Sequence, residues 1–431
     1  MPTAVVPNAG TFDLEVDIGF SPDALRLDSA NSGTLDGPAV LDGTTAYASI
    51  TDGVLSASIS RGRKDIDDPF PSGSMTFVLD DSLADGVFNP FDEDSPYYDD
   101  ITDVPGLAPG RLVRFTRYDA SNNPELLFVG FIVNYEYNFA LGGINTVTVY
   151  CVDNLYRLAQ TFLTAHTPAK EFTGARVNAI LDRSEVAYPS GAARSIATGT
   201  VELGGSTAYA IPEGTNVKAY FDDITYSAER GRIFVNREGV LVSQDRIGVV
   251  LSNPVAVFSD TNSADIPYRA LGITFAAEDI VNRVAVTPAG GSQQVAEDLA
   301  SQAEYFIKAL YIDGSLVHDN AAGLALANYL LFPEPQYRFD QVETFYGSLT
   351  TAERDTVAVI DVGDAIQVEK QIIIGGTPTS RSQEMSVEGI EHRITFDRGM
   401  TTRLYTTPTT VVVALILDDP VSGILDLNAL A

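Results

Sequence analysis

The segment Phe131-Ile-Val-Asn-Tyr-Glu-Tyr-Asn-Phe139 decides the fold class of this 431-residue chain. Its apolar and aromatic side chains occupy one parity and its polar side chains the other, with the outward set Asn134, Glu136 and Asn138. This period of two is typical of a half-buried β-strand. The turn Leu141-Gly142-Gly143 follows, and Ile144 to Val152 alternates again as the returning strand. The segment therefore predicts an antiparallel hairpin in a mainly β protein.

Similar strand patterns lie on the N-terminal side of this hairpin. They cover Val54 to Ser60, Ser74 to Leu79 and the stretch that begins at Gly110. Together with the hairpin they predict a first β domain over residues 49–163. Residues 1–48 carry little periodicity and many Gly, Asp, Ser and Thr, and we interpret them as an N-terminal arm or extension.

The pattern changes to helical spacing after about Thr164. Thr173 is a candidate cap for one helix, and a second helix is expected from about Asn216 to Arg230, followed by a hairpin over residues 232–243. These elements predict a small α/β module over residues 164–275. A further helix is expected from about Asn320 to Phe332, within a second β domain over residues 276–408.

The second β domain repeats the shape of the first. Gly110-Arg-Leu-Val-Arg-Phe corresponds to Gly363-Asp-Ala-Ile-Gln-Val, and each is followed by a long alternating strand, a glycine-containing tip and a return strand. The parity of apolar residues slips within the second long strand, and Gly389 is the expected position of a β-bulge that absorbs the slip. The sequence therefore predicts an internal duplication.

A ten-residue pattern also recurs near both ends of the chain. Leu27-Asp-Ser-Ala-Asn-Ser-Gly-Thr-Leu-Asp36 and Leu417-Asp-Asp-Pro-Val-Ser-Gly-Ile-Leu-Asp426 agree at six of ten positions. We interpret the pattern as a docking element for partner chains, the second copy within a docking tail at residues 409–431. The alternative is convergent turn chemistry, because Asp, Ser and Gly are common in turns. The candidate docking residues are Leu27, Asp28, Leu35, Asp36, Leu417, Asp418, Leu425 and Asp426.

The composition narrows the classes of partner. The chain has 27 Lys and Arg against 58 Asp and Glu, a formal net charge of −31. Such a surface repels nucleic acid and anionic lipid, so we expect no sequence-specific nucleic-acid binding, whereas a wall past which DNA slides, or plain solubility, remains open. The single cysteine, Cys151, rules out a disulfide within the chain and fits folding in a reducing cytoplasm. The longest apolar run, Val411 to Leu417, is too short to cross a bilayer, so no membrane insertion is expected.

The chain offers few residues for chemistry. His166, His318 and His392 lie in different segments without zinc-ligand spacing, and the alternation places Cys151 in a core. We therefore expect no catalytic residues, no metal, no cofactor and no enzymatic activity. The acidic loop that contains Asp92, Glu93, Asp94, Asp99, Asp100 and Asp103 is either a solvated loop or a calcium site without EF-hand spacing. A carboxylate pair for glycoside hydrolysis also stays open, although no pair stands out.

A tight basic cluster follows the first clear strand. It consists of Arg61, Arg63 and Lys64. In so acidic a chain, these cations are candidates for contacts with carboxylates of a neighbouring subunit. The alternative is a solvated strand end.

The order of short motifs resembles the minor tail proteins of siphophages, especially those that infect actinobacteria. The motifs include Ser58-Ile-Ser-Arg-Gly-Arg63, Gly73-Ser-Met-Thr-Phe-Val-Leu-Asp-Asp81, Phe88-Asn-Pro90, Pro109-Gly-Arg-Leu-Val-Arg114, Phe128-Val-Gly-Phe-Ile132, Thr148-Val-Tyr-Cys-Val-Asp153, Glu229-Arg-Gly-Arg-Ile-Phe-Val235 and Leu417-Asp-Asp-Pro-Val421. The resemblance covers most of the chain. It implies a hub-type multidomain architecture with two tail-tube-like β-barrels per chain and a small α/β module.

The same resemblance implies a role. Hub proteins of this kind form a homotrimer at the tail tip or baseplate, where three subunits present six similar barrels and so adapt a six-fold tube and distal tail ring to a three-fold tip. The implied partners are the distal tail protein ring, the tape measure protein and other minor tail proteins. DNA would pass through the lumen on ejection, and the protein would belong to the virion tail tip after assembly in the host cytoplasm.

Two alternatives stay open at this point. A receptor-binding or carbohydrate-binding tail module would suit the acidic loops and the 19 tyrosines, although the absence of Trp weakens it. A tail-associated cell-wall hydrolase would need a catalytic constellation, and none stands out in the sequence.

Overall fold

A computed structural model describes residues 4–17, 47–65, 68–82, 86–93, 95, 97–98, 107–246, 253–335 and 337–409. The chain first builds a large curled sheet and then leaves it for a small α/β module. It then crosses between the two units three more times and ends in the sheet. The strands of the first pass are β1 (Ala4–Val6), β2 (Gly10–Asp17), β3 (Tyr47–Ser49), β4 (Val54–Gly62), β5 (Ser74–Asp80), β6 (Leu112–Tyr118), β7 (Pro124–Asn138) and β8 (Thr146–Val152).

The module follows as short strands and helices. In chain order these are α1 (Leu155–Ala159), β9 (Phe162–Leu163), β10 (Glu171–Phe172), α2 (Thr173–Leu181), β11 (Arg194–Ile196), β12 (Glu202–Leu203), β13 (Thr215–Asn216), α3 (Val217–Ile224), β14 (Arg232–Val235) and β15 (Leu241–Gln244). A π-helical turn, Thr225–Glu229, extends α3, and Arg230 ends it in a left-handed conformation.

The chain then alternates between the two units. β16 (Ala256–Ser259) and β17 (Ala270–Phe275) return to the sheet. The elements β18 (Arg283–Pro288), β19 (Gln294–Glu297), α4 (Leu299–Tyr305), β20 (Ala309–Ser315) and α5 (Asn320–Tyr329) go back to the module. The sheet is completed by β21 (Tyr337–Phe345), α6 (Thr351–Val359), β22 (Ala365–Ile374), β23 (Thr377–Thr395) and β24 (Gly399–Pro408). Single 3-10 turns lie at Thr51–Gly53, Gly191–Ala193, Thr207–Tyr209, Ala277–Asp279 and Tyr346–Ser348. Within the described ranges, no helix has the length and apolar character needed to cross a membrane.

The described residues form one sheet of 14 strands and, in the module, four smaller sheets of two or three strands. The main path of the large sheet is β1-β2-β6-β7-β8-β5-β4-β23-β24-β21-β17, with β3 beside β2, β22 beside β23 and β16 beside β22. Curling of so large a sheet follows from the twist of each strand pair. The prediction of a mainly β fold with a small α/β module is confirmed.

The sheet consists of two half-sheets with the same topology. Half-sheet 1 has the order β2-β6-β7-β8-β5-β4, and half-sheet 2 has the order β16-β22-β23-β24-β21-β17. The corresponding strands also follow one another in the same order along the chain. One difference is the direction of the outermost strand, because β2 runs antiparallel to β6 whereas β16 runs parallel to β22.

Register confirms the duplication residue by residue. Asn134 pairs with Tyr150 in half-sheet 1 and Gly389 pairs with Tyr405 in half-sheet 2, so 389 minus 134 and 405 minus 150 both give 255. The predicted correspondence of Gly110 with Gly363, where 363 minus 110 gives 253, also holds, since both have a positive φ, of 92° and 91°. Each donates its N–H to the residue just before the bulge, Gly110 to Ile132 and Gly363 to Val387.

Both long strands contain a bulge at the equivalent position. The bulge at Gly389 is confirmed, because the pairing of β23 with β24 shifts between Val387 and Gly389. The sequence did not predict the matching shift in β7 between Ile132 and Asn134. That bulge reverses the parity, so that Ile132, not Phe131, is fully buried, while Tyr135 and Tyr137 are half-buried.

The sheet and the module each have a hydrophobic core of their own. The sheet core unites both half-sheets, with fully buried members such as Phe77, Phe115, Phe339 and Leu404. The module core takes residues from both passes, such as Val177, Phe221, Val284 and Leu326. The expected boundary at residue 275 is therefore wrong, because β16 and β17 belong to the sheet whereas β18 to α5 belong to the module.

The expected N-terminal arm is also partly wrong. β2 lies between β1 and β6, and Phe12, Leu14 and Val16 are fully buried in the sheet core. Their alternation spans only a few residues, which explains why it was weak in the sequence. Residues 18–46 lie outside the described residues.

Candidate functional site: the junction of the half-sheets

The two half-sheets are joined by antiparallel pairing of β4 with β23, from Gly62 opposite Gly389 to Ser56 opposite Thr395. β22 pairs with the same edge of β23 as far as Ser386, and β4 pairs with that edge beyond the bulge. The junction needs glycine at both bulge positions. A Cβ on Gly62 would lie 2.2 Å from the carbonyl oxygen of Glu388, and a Cβ on Gly389 would lie 2.3 Å from that of Arg63.

A buried carboxylate sits at the centre of this junction. Glu388 is 2% exposed and accepts from Arg63 Nε at 2.8 Å and from Arg232 Nε at 3.1 Å. A second Arg232 donor, Nη2, reaches Ser386 Oγ at 2.7 Å. Burial acts to raise the pKa of Glu388, but the charges and hydrogen bonds of Arg232 and Arg63 outweigh it and hold the pKa below its usual value. The cluster therefore ties β4, β23 and the module strand β14 together.

Arg61 forms a second ionic link in the same junction. It is 2% exposed and pairs with Asp361, which also accepts from the backbone N–H of Arg237 at 2.9 Å. Arg61 and Arg63 therefore pair with carboxylates of the same chain, Arg61 with Asp361 and Arg63 with Glu388. A contact of this basic cluster with carboxylates of a neighbouring subunit stays a prediction. The ammonium of Lys64 lies 5.4 Å from the ring centre of Tyr405.

A third arginine connects half-sheet 1 to helix α6 of half-sheet 2. Arg117 is 2% exposed, and it donates to the carbonyl of Ala9 at 2.9 Å, to Glu125 at 2.7 Å and to Asp355 at 2.7 Å. Burial raises the pKa of Glu125 despite this partner, as expected for a carboxyl removed from water. All three nitrogens of this guanidinium therefore have partners within the chain.

His392, Cys151 and Asp153 are all buried within the fold. His392 is fully buried, its Nδ1 lies 2.8 Å from Thr402 Oγ1, and burial together with the charge of Arg61 lowers its pKa to about 3. Burial also raises the pKa of the Cys151 thiol, as the expected core position implies. Asp153 accepts from the N–H groups of Gly73 and Leu155, and burial raises its pKa to about 7.

The other histidines lie apart from this junction in the module. His166 forms an isolated bridge with Ile211, and His318 Nε2 lies 3.0 Å from Asp319. In the part of the chain that the structure describes, no three His, Cys, Asp or Glu side chains converge as a metal site. Of the acidic loop, Asp92 and Glu93 are described, whereas Asp94, Asp99, Asp100 and Asp103 are outside the described residues.

A cleft of about 410 Å³ separates the sheet from the module beside this junction. Phe70, Tyr226 and Tyr329 contribute aromatic walls, and Arg232 links the cleft to the Glu388 cluster. The candidate docking residues Leu27, Asp28, Leu35, Asp36, Leu417, Asp418, Leu425 and Asp426 all lie outside the described residues.

Buried ion pairs thus link the two half-sheets across their junction. Sequence reasoning located Arg61 and Arg63 but missed their partners Asp361 and Glu388, and it missed Arg117. The one usable signal was the Glu388-Gly389 pair at the predicted bulge, where a charged residue interrupts an apolar strand.

Comparison with known proteins supports the fold. No family model matches the chain, and no curated protein sequence matches it significantly. The tail protein from Neisseria meningitidis aligns with a TM-score of 0.55 and 13% identity, over 92% of this chain and 96% of that chain. The 43 kDa tail protein of prophage MuSo2 from Shewanella oneidensis aligns with a TM-score of 0.52 and 10% identity, over 92% of this chain and 98% of that chain. At these identities the likeness shows a shared fold.

Proposed function

We propose that this chain is a structural hub of a bacteriophage tail tip, which adapts the six-fold tail tube and distal tail ring to a three-fold tip and lines the DNA exit channel. The observation that carries the proposal is the duplication of one half-sheet within a single chain, in which the paired strands β7 and β8 recur as β23 and β24 at a spacing of 255 residues. A chain with two equivalent half-sheets lets three copies present six similar units to a six-fold neighbour. The shared fold with two tail proteins supports the same role.

The junction of the half-sheets suits this task. A symmetry adaptor must hold its two half-sheets at one fixed angle, because a ring closes only when every repeat contributes the same rotation. The buried links of Arg61, Arg117 and Glu388 cross between half-sheets and resist a change in that angle. In this proposal the chain acts by assembly and carries out no catalysis.

The charge of the chain suits a conduit for DNA. Because the chain carries a net charge of −31, it repels the phosphate backbone of DNA. We propose that DNA passes through the lumen on ejection without sequence-specific contact.

The remaining partners follow from the motif order and the terminal repeat. We propose contacts with the distal tail ring, the tape measure protein and other minor tail proteins, in a siphophage virion whose tail is assembled in the host cytoplasm. The two copies of the Leu-Asp pattern, at residues 27–36 and 417–426, are the proposed docking elements. No membrane insertion is part of this role.

Labelling of virions tests the proposal. An epitope tag inserted between Gly375 and Gly376, in a turn with open space around both residues, leaves the junction intact. Gold-labelled antibody should decorate the end of the tail distal to the head, and untagged virions serve as the control. Label along the tail tube or on side fibres would overturn the hub. Label at fibres together with glycan binding by the isolated protein would favour a receptor-binding module instead.

A further inference from the structure

Among the described strands, β17 and the part of β7 beyond its bulge each leave one edge unpaired, and they are the duplicates of β4 and β23, which pair at the internal junction. We propose that β17 of one copy pairs antiparallel with the free edge of β7 in the next copy, so that the contact between copies repeats the contact of β4 with β23 within the chain. This inference rests on the proposed assembly of several copies and names the surfaces that make it.

The internal junction supplies the template. β4 is the last strand of half-sheet 1, and it pairs with the part of β23 beyond the bulge, on the edge that β22 leaves uncovered. β17 is the equivalent last strand of half-sheet 2, and β7 is the equivalent of β23. The same contact between copies would therefore join β17 to the part of β7 beyond its own bulge.

Both edges are available in the described structure. Among the described strands, β17 pairs with β21 on one side only. β6 covers its edge of β7 as far as Ile132, and no described strand continues along that edge to Asn138. Unpaired strand edges of this kind are templates for pairing with another chain.

The duplication also fixes the register. In half-sheet 1, Ser58 pairs with Thr76, which in turn pairs with Tyr150 of β8. In half-sheet 2, Gly272 pairs with Gln341, which in turn pairs with Tyr405 of β24. Because Tyr150 and Tyr405 are equivalent, Ser58 and Gly272 are equivalent too. Ile59 lies opposite His392 at the internal junction. Transfer of that register places Ile273 opposite Tyr137 of the next copy. The neighbouring expected pairs are Phe275 with Tyr135, Thr274 with Glu136, Leu271 with Phe139 and Ala270 with Ala140.

Exposed apolar side chains occupy these two edges. Ile273 is 52% exposed and Phe275 is 66% exposed on β17, and their duplicates Ile59 and Arg61 are at most 2% exposed at the internal junction. Ile273 and Phe275 are therefore exposed to water on the free edge, at positions where the internal junction buries the equivalent side chains.

The facing edge of β7 shows the same contrast. Phe139 is 62% exposed whereas its duplicate Ile394 is 1% exposed. Leu141 is fully exposed whereas its duplicate Phe396 packs against the sheet core. Exposed apolar residues grouped on an unpaired edge mark an interaction surface.

The contact is heterologous, since each copy offers one β17 edge and one β7 edge. Such contacts form a closed ring when the rotation closes and an open filament otherwise. Here the rotation between copies repeats the rotation between half-sheets, so a ring of three copies contains six equivalent half-sheet junctions. A second copy of this chain is therefore the proposed occupant of both edges.

Cysteine cross-linking tests the register. In the double variant Glu136→Cys with Thr274→Cys, mild oxidation should give covalent dimers and trimers on a non-reducing gel, and a mixture of the two single variants should stop at dimers. The natural Cys151 is 1% exposed and does not compete. In the matched control Glu136→Cys with Ala270→Cys, the register places the thiols four residues apart, about 13 Å along the strand, beyond the reach of a disulfide. Cross-links of equal yield in the control, or none in the Glu136 and Thr274 pair, would overturn the proposal.

A second pair and a surface variant keep the test decisive. If Thr274→Cys impairs folding, Ala140→Cys with Ala270→Cys tests the same register with two exposed alanines. Phe275→Asp should lower the assembled fraction at least tenfold by mass photometry, whereas Phe91→Asp, at an 80% exposed position elsewhere, should leave it unchanged. Equal effects of these two substitutions would contradict the proposed edge.

The outcomes separate this inference from the proposed function. Tail-tip labelling without cross-links would leave the hub intact and show that the copies meet elsewhere. Cross-links without tail-tip labelling would support the strand pairing and refute the hub.

Discussion

Replacement of Glu388 by alanine should destabilise the sheet by about 3 kcal/mol. The substitution removes a 2% exposed carboxylate and leaves the guanidiniums of Arg63 and Arg232, which are 14% and 11% exposed, without their shared partner. Removal of one partner from a buried ion pair costs about 3–5 kcal/mol. We expect the lower end of this range because both arginines lie near the cleft, where water can solvate them.

Urea unfolding at fixed protein concentration measures this loss. Because the chain contains 19 tyrosines and no Trp, tyrosine fluorescence and far-UV circular dichroism are suitable probes. The matched control is Glu384→Ala, which removes an exposed carboxylate from the same strand β23 and should cost at most about 0.5 kcal/mol. A loss below about 1 kcal/mol for Glu388→Ala, or equal losses for both variants, would refute the structural role of the cluster.

The pH dependence of the same variant follows from the sign of the shift. The pKa of Glu388 is lower in the folded chain than in the unfolded chain, where a glutamate titrates near 4.3. Its contribution is therefore fully present above about pH 4.3 and is lost as the pH falls through the lower folded pKa. The stability difference between the native protein and Glu388→Ala should narrow below about pH 4, and a constant difference down to the acid transition would contradict this assignment.

Three further substitutions test the buried imidazole of His392, the bulge contact of Gly62 and the ionic links of Arg117. His392→Gln should flatten the acid loss of stability between pH 6.5 and about 3, by up to about 1.4 kcal/mol per pH unit in urea titrations, because the folded state holds this imidazole neutral while the unfolded state binds a proton. An unchanged slope would show that His392 does not contribute. Gly62→Ala should cost more than 2 kcal/mol, whereas Gly142→Ala, with a similar φ of 73° but open surroundings, should cost about 1 kcal/mol; equal costs in thermal melts would refute the contact at the bulge. Arg117→Met should cost about 3 kcal/mol, and a cost near zero would mean that the links to Glu125 and Asp355 are dispensable.

Local sequence patterns predicted the duplication well. The turn glycines Gly110 and Gly363 and the parity slip at Gly389 depend on backbone geometry within a few residues, and periodicity registers such features directly. The sequence pattern did not indicate the bulge in β7 between Ile132 and Asn134. The aromatic residues at odd positions after Ile132 continue the alternation that begins with Phe131, so no slip in parity is visible.

Long-range features were less accessible. Arg61 and Asp361 are 300 positions apart, and nothing in either local sequence identifies the partner. The crossing of β16 and β17 into the sheet was missed because β16 is only four residues long and depends on β22 for its pairing. Thr173 was expected to cap α2, but Phe172 occupies the cap position, and the Thr173 hydroxyl donates to Glu229 at 2.7 Å.

In the proposed assembly, one duplicated chain supplies two equivalent half-sheets to a three-fold ring. Cryo-electron microscopy of the purified protein, with its mass determined in the same sample, would show this arrangement. We expect a ring of three chains in which β17 of each chain adjoins β7 of the next. A rotation that moves each half-sheet onto the next one should then superpose the sheet density on itself. A particle that stays monomeric at all concentrations, or a ring whose chains meet through the module, would contradict this arrangement.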